Sequence, residues 1–136
     1  MADKWEHRLN RQVAGLHHVG AYQVSGHPFL KQGSISGTTE TKISFPTVTR
    51  SVLIKNTHAT ANLTIHFAAA AKCTDGSVDN YWTLKAGASI EMKVKCVNIY
   101  LTPDATCTYE LFAELTHIPA AEMYDLDVAG ITGISE

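Results

Sequence analysis

The sequence predicts an all-β fold, an antiparallel β-sandwich, with jelly-roll connections as one arrangement that would satisfy it. Three observations carry the prediction. Apolar and polar residues alternate at period two over most of the chain, turn signals recur every ~8–12 residues, and almost no stretch has the apolar spacing of a helix. With 136 residues, 45% hydrophobic and 18% charged, the chain is long enough for one domain with its own core and too short for two.

Residues 1–18 read as an N-terminal arm. Trp5, Leu9 and Val13 stand four apart and could stripe one side of a short helix, but Arg8, Arg11 and other polar residues surround them and Gly15 interrupts. Such a segment becomes helical only against something that binds it. From Val19 the period changes to two, and the sandwich body is read as 19–126. The stretch "LHHVGAYQVSGHPFL", 16–30, marks the junction and ends in what reads as a turn at Gly26, His27 and Pro28.

The strands then follow in order. "ETKISF" points Ile43 and Phe45 inward, and Pro46, which cannot donate to a ladder, calls for an edge, a bulge or a strand break. "RSVLIKN" resumes with Val52 and Ile54. "NLTIHF" sets Leu63, Ile65 and Phe67 on the core face and Thr64 and His66 toward solvent. "NYWTLKAG" runs into a turn at Ala86 and Gly87, and "SIEMKVK" faces Ile90, Met92 and Val94 in and Glu91, Lys93 and Lys95 out. The inward positions then switch from even numbers to odd ones (Val97, Ile99, Leu101), which requires a bulge or corner at Lys95 and Cys96.

"VNIYL" and "CTYELFAEL" flank "TPDAT", and both have odd-numbered apolar faces. Read as a hairpin, they pair Leu101 with Cys107, Ile99 with Tyr109 and Val97 with Leu111 around a loop of Pro103, Asp104 and Ala105. That register sends Asn98, Tyr100, Glu110, Phe112 and Glu114 to the outer face, with Tyr100 and Phe112 as diagonal neighbours. It also turns Cys107 inward and Cys96, opposite Phe112, the other way, which rules out a disulfide between them. "HIPAAEMYDL" supports one or two helical turns, with Ile118, Met123 and Tyr124 to cover one end of the sheets. Residues 127–136 form a glycine-punctuated C-terminal tail that can fray or lie along a neighbour.

Chemistry is sparse. A net charge of −2 and a pI near 6.4 make no electrostatic case for nucleic acid. No apolar run approaches the ~20 residues that span a bilayer, and the charged first residues lack a secretory apolar centre, so the chain reads as cytoplasmic in origin. Cys73, Cys96 and Cys107 match no zinc-ligand spacing and read as free thiols. "GSISG" has Ile35 where a nucleophile elbow needs serine; there is no phosphate loop, no His-Glu-x-x-His and no paired carboxylates. His17 and His18, adjacent on an extended chain, point to opposite faces, and His27 joins His18 only if the chain folds back, so no metal site is expected. Tyr81 and Trp82 beside Asp79 and Asn80 come nearest to a carbohydrate-binding surface. What remains as partner-binding candidates are Trp5, Arg8, Leu9, Arg11 and Val13 of the arm, with Tyr100 and Phe112 of the body.

A short charged arm leading into "VGAYQVSGHPFL", the strands of "YWTLKAGASIEMKVKCVNIYL" and the closing "YELFAELTHIPAAEMYDL" resemble the small β-sandwich structural proteins of tailed bacteriophages, most of all those that decorate or cement the head. The likeness is one of layout over 19–126. It implies a virion protein without enzymatic activity or cofactor, made in the host cytoplasm. It implies binding to the outer surface of a capsid as a homo-oligomer, dimer or trimer, with the major capsid protein or other virion subunits as partner. The alternative is a tail, neck or baseplate β-sandwich that binds carbohydrate or protein.

Overall fold

The computed structural model describes residues 16, 17, 19 and 26–136. The arm candidates Trp5, Arg8, Leu9, Arg11 and Val13, and His18, lie outside the described residues. Eight strands follow one another among those described: β1 (His27–Ile35), β2 (Thr41–Ser44), β3 (Thr47–Asn56), β4 (Leu63–His66), β5 (Trp82–Leu84), β6 (Ser89–Met92), β7 (Asn98–Pro103) and β8 (Cys107–Pro119). Two single turns of 3₁₀ helix, Ala70–Lys72 and Ala120–Glu122, accompany them, the second directly after Pro119, where the sequence predicts a helical turn.

The strands form two four-stranded antiparallel sheets, sheet I in the order β1-β8-β3-β6 and sheet II in the order β2-β7-β4-β5. First pairs with last, second with seventh, third with sixth and fourth with fifth. This is a long antiparallel ribbon rolled on itself, the jelly-roll connectivity, and the contacts of β3 with β8 and of β4 with β7 close the roll. Pro46 sits at the break between β2 and β3, where the chain leaves sheet II for sheet I. The shift of inward parity after Val94 is likewise a change of sheet, since β6 belongs to sheet I and β7 to sheet II.

The core lies between the sheets. Val52, Ile54, Leu63, Ile99 and Leu101 are fully buried there, each such side chain worth about 1.5–3 kcal/mol of burial. Phe29 of β1 and Phe45 just past β2 meet edge to face at 5.0 Å, linking the two sheets at one side. A smaller cluster of Val48, Ile118 and Met123 closes one end, with Leu16 packed on it.

Three expectations fail here. β7 and β8 do not form a hairpin: the chain crosses from sheet II to sheet I between them, so the register of Leu101 with Cys107 does not exist. Strands that face each other across a core share inward parity just as paired strands do, so alternation could not separate the two arrangements. Cys96 is not turned outward either; it precedes β7, packs in the core and contacts Thr49 at 3.4 Å. Finally, β1 starts at His27, and His27 and Pro28 are extended residues of an edge strand, where a proline is tolerated, instead of a turn.

Candidate functional site

The outer face of sheet I carries a row of apolar side chains built by register alone. Leu30 of β1 lies opposite Phe112 of β8, and Phe112 lies opposite Leu53 of β3. These positions alternate with core residues on each strand, so all three point away from the interior. Leu30 is 76% exposed, and Leu53 and Phe112 are 36% exposed. The neighbouring row, Gln32, Glu110 and Lys55, sets a carboxylate opposite an ammonium. Together they bound a shallow groove of about 460 Å³. Phe112 is therefore where the sequence placed it, on an outer face, and its apolar neighbours are Leu30 and Leu53.

Tyr100 is not beside it. It belongs to β7 in the other sheet and is only 4% exposed. Its parity is outward, but the outer face of sheet II is covered by the excursion between β4 and β5 and by the C-terminal segment. The Tyr100 hydroxyl donates to Asp127 at 2.6 Å, and the same carboxylate accepts the Ala69 N–H at 2.8 Å. Ser135 O accepts from both the N–H and the hydroxyl of Thr74, and Asn80 Nδ2 donates to Glu136 O at 2.8 Å. The tail thus folds back on its own sheet.

His66 is also covered, at 1% exposure, against the expectation of a solvent-facing residue. Its Nδ1 donates to Ala68 O at 2.8 Å, and Nε2 lies 2.9 Å from Thr102 Oγ1. The ring stacks on Tyr100 with centroids 5.5 Å apart. Glu40 Oε2 stands 3.8 Å from Nε2 and accepts the Ala70 N–H at 3.0 Å. Burial, with Asp127 beside it, pushes the Tyr100 hydroxyl well above its ordinary value. Burial pushes the Asp127 carboxyl up as well, yet the bonds from Tyr100 and Ala69 and the charges of Lys42 and Lys72 outweigh it and hold the carboxyl low. Asp127, bonded to Tyr100 and the Ala69 N–H, and Glu40, bonded to the Ala70 N–H beside His66, thereby fasten loops to sheet II as a structural clasp.

A third feature lies at the β5/β6 side. Trp82 has the inward parity of Leu84 and pairs with Ile65, yet it is 59% exposed. The sheets gape here, leaving a slot of about 410 Å³ floored by Ile65, Ile90 and Met92 and rimmed by Asn80, Tyr81 and Trp82.

No protein-family model and no curated protein matches the chain. Two solved structures share part of its path. One is a conserved protein of unknown function, SPY1581, from Streptococcus pyogenes, with a TM-score of 0.41 and 11% identity over 65% of this chain and 64% of that one. The other is protein NMB1881 from Neisseria meningitidis, with a TM-score of 0.40 and 12% identity over 76% of this chain and 98% of that one. This chain thus spans about two thirds of the length of the first, and at these values neither likeness bears on function.

Of the histidines read as metal candidates, His17 is exposed and His27 meets His117 edge to face at 5.1 Å. Among the described residues, no three His, Cys, Asp or Glu side chains are grouped so as to hold a metal ion. No described helix is long and apolar enough to cross a membrane. Leu30 and Leu53 were missed as surface features, since they give a signal only through the register of three strands that are remote in sequence.

Proposed function

We propose that the protein is a non-enzymatic virion structural protein that binds and stabilises the outer surface of a phage capsid, as decoration or cement, through the outer face of sheet I. The row Leu30–Phe112–Leu53 carries this reading: three large apolar side chains stand in line on a sheet face, flanked by charges of both signs. The jelly-roll path itself serves lectins and cupins as well as capsid proteins, so the support comes from the surface. The partner is the major capsid protein or another virion subunit, met by a homo-oligomer. Many copies on one shell make weak individual contacts sum to firm attachment. Neither membrane nor nucleic acid is a proposed partner, and the place of action is the virion after synthesis in the host cytoplasm.

Co-sedimentation of the full chain with assembled heads that lack it tests this reading. Saturable binding is expected, weakened about tenfold or more in Leu30→Ser/Phe112→Ser with folding intact. Absence of binding by the wild type, or equal binding by the double variant, overturns it.

A second reading, a tail, neck or baseplate component that binds carbohydrate, is favoured by one observation, the slot where Trp82, Tyr81 and Asn80 stand over an apolar floor. Glycan-array binding that disappears in Trp82→Ala would support it; a blank array with the full chain would end it.

A further inference from the structure

Four of the strands among the described residues lie at sheet edges, and of these β1 alone is long. β2, β5 and β6 have four, three and four residues, while β1 has nine. Among the described residues only β8 pairs with it. Short edges are protected edges; a nine-residue edge presents a run of unpaired N–H and C=O groups to any strand that fits.

We propose that β1 pairs antiparallel with β1 of a second copy, across a two-fold axis normal to sheet I and centred on Leu30. The two sheets then become one continuous sheet of about eight strands with an isologous seam.

Symmetry narrows the registers. A two-fold axis normal to the sheet keeps both outer faces on the same side, so an even residue can face only an even one. Centring on Leu30 sets it against the partner's Leu30, Phe29 against the partner's Lys31, and Pro28 against the partner's Gln32. The apolar row then runs unbroken from Leu53 through Phe112 and Leu30 into the same three residues of the second copy. That contact covers Leu30, the most exposed of the large apolar side chains described, at 76%.

Charge selects the same register. Lys31 has the inward parity of Phe29 and Ile35 and lies opposite Leu111, yet it is exposed at the open edge. An inward charge of this kind deters indiscriminate pairing. With Leu30 at the centre, the Lys31 ammonium meets the ring of the partner's Phe29, a cation on an aromatic face. Centring on Lys31 would set two lysines directly opposite each other, and centring on Phe29 would set Lys31 against the partner's His27. β1 contains no carboxylate, so no register gains an ion pair. This pairing supplies the homo-oligomer but does not depend on shell binding.

The test uses the full chain in analytical ultracentrifugation, with Leu30→Cys and Ser34→Cys compared under mild oxidation. The three native thiols are buried, so added ones report the seam. Expected are a dimer at tens of micromolar and a covalent dimer of Leu30→Cys formed about tenfold or more faster than that of Ser34→Cys. Leu30→Lys should raise the dimer dissociation constant about tenfold or more while leaving the monomer's thermal unfolding unchanged. A monomer or trimer at that concentration, equal cross-linking of the two cysteine variants, or an unchanged dimer in Leu30→Lys overturns the pairing. A monomeric protein that still co-sediments with heads overturns the pairing and leaves shell binding standing.

Discussion

The Tyr100 hydroxyl donates a 2.6 Å hydrogen bond to Asp127, joining β7 to a segment 27 residues further along the chain. One carboxylate thereby holds both a strand of sheet II and, through the Ala69 N–H, the loop that follows β4. Removing its charge should loosen all three. Asp127→Asn is expected to cost about 1–3 kcal/mol at pH 7, measured by urea unfolding, with Tyr100→Phe at the lower end.

The pH dependence of that loss has a definite sign. Asp127 is held below its ordinary value, so its contribution is fully present above the usual carboxylate range and disappears as pH falls through the lowered folded value. The stability gap between wild type and Asp127→Asn should therefore be constant from pH 6 to 7 and shrink below about pH 4. A gap that widens on acidification would contradict the clasp.

Asn56 is fully buried at the end of β3 and satisfies its side chain four ways. Its Nδ2 donates to Ala61 O at 2.8 Å and to Leu84 O at 3.1 Å, while Oδ1 accepts from the His58 N–H and the Cys107 thiol. Asn56→Ala leaves two carbonyls without this donor and the β3–β4 turn without its anchor. A loss of about 2–4 kcal/mol is expected in denaturant unfolding, larger than for any single surface substitution.

Two glycines should respond differently to alanine. At Gly26 a Cβ would stand 1.5 Å from Leu115 O, a clash with backbone that can be relieved only by displacing the start of β1 from β8. At Gly87 the space is open, and only its φ of +76° resists a side chain. Thermal unfolding should show Gly26→Ala losing several kcal/mol and Gly87→Ala about 1 kcal/mol.

The thiols give a simple readout of core integrity. All three are buried, and desolvation pushes the Cys96 thiol up to about 11, against a smaller opposing bond with Thr49. Native protein at pH 8 should react with a thiol-specific disulfide reagent far more slowly than unfolded protein, which should release all three equivalents. Rapid modification of Cys96 in the native state would place it outside the core.

Much of the fold was legible because alternation is a local property. Ile43 with Phe45, Val52 with Ile54, Leu63 with Ile65 and Ile99 with Leu101 each declare a core face within a few residues, and Pro46 and the Lys95–Cys96 corner declare where that face changes. Tyr100 and His66 show the limit of the same signal. Their outward parity was right, but alternation says only which side of a strand a residue takes, not whether that side meets water.

What the sequence determined by itself was the β-sandwich, its inward residues and the helical turn after Pro119, because the pleat and the proline ring act on neighbouring residues. Tertiary structure alone decided that β7 and β8 belong to different sheets, that the C-terminal segment covers Tyr100 and His66, and that Leu30, Phe112 and Leu53 fall into one row. Each of these depends on which strands, distant in sequence, come to lie side by side. Rolling a ribbon so that first meets last fixes that choice through packing of the whole core, and no short stretch of chain contains it.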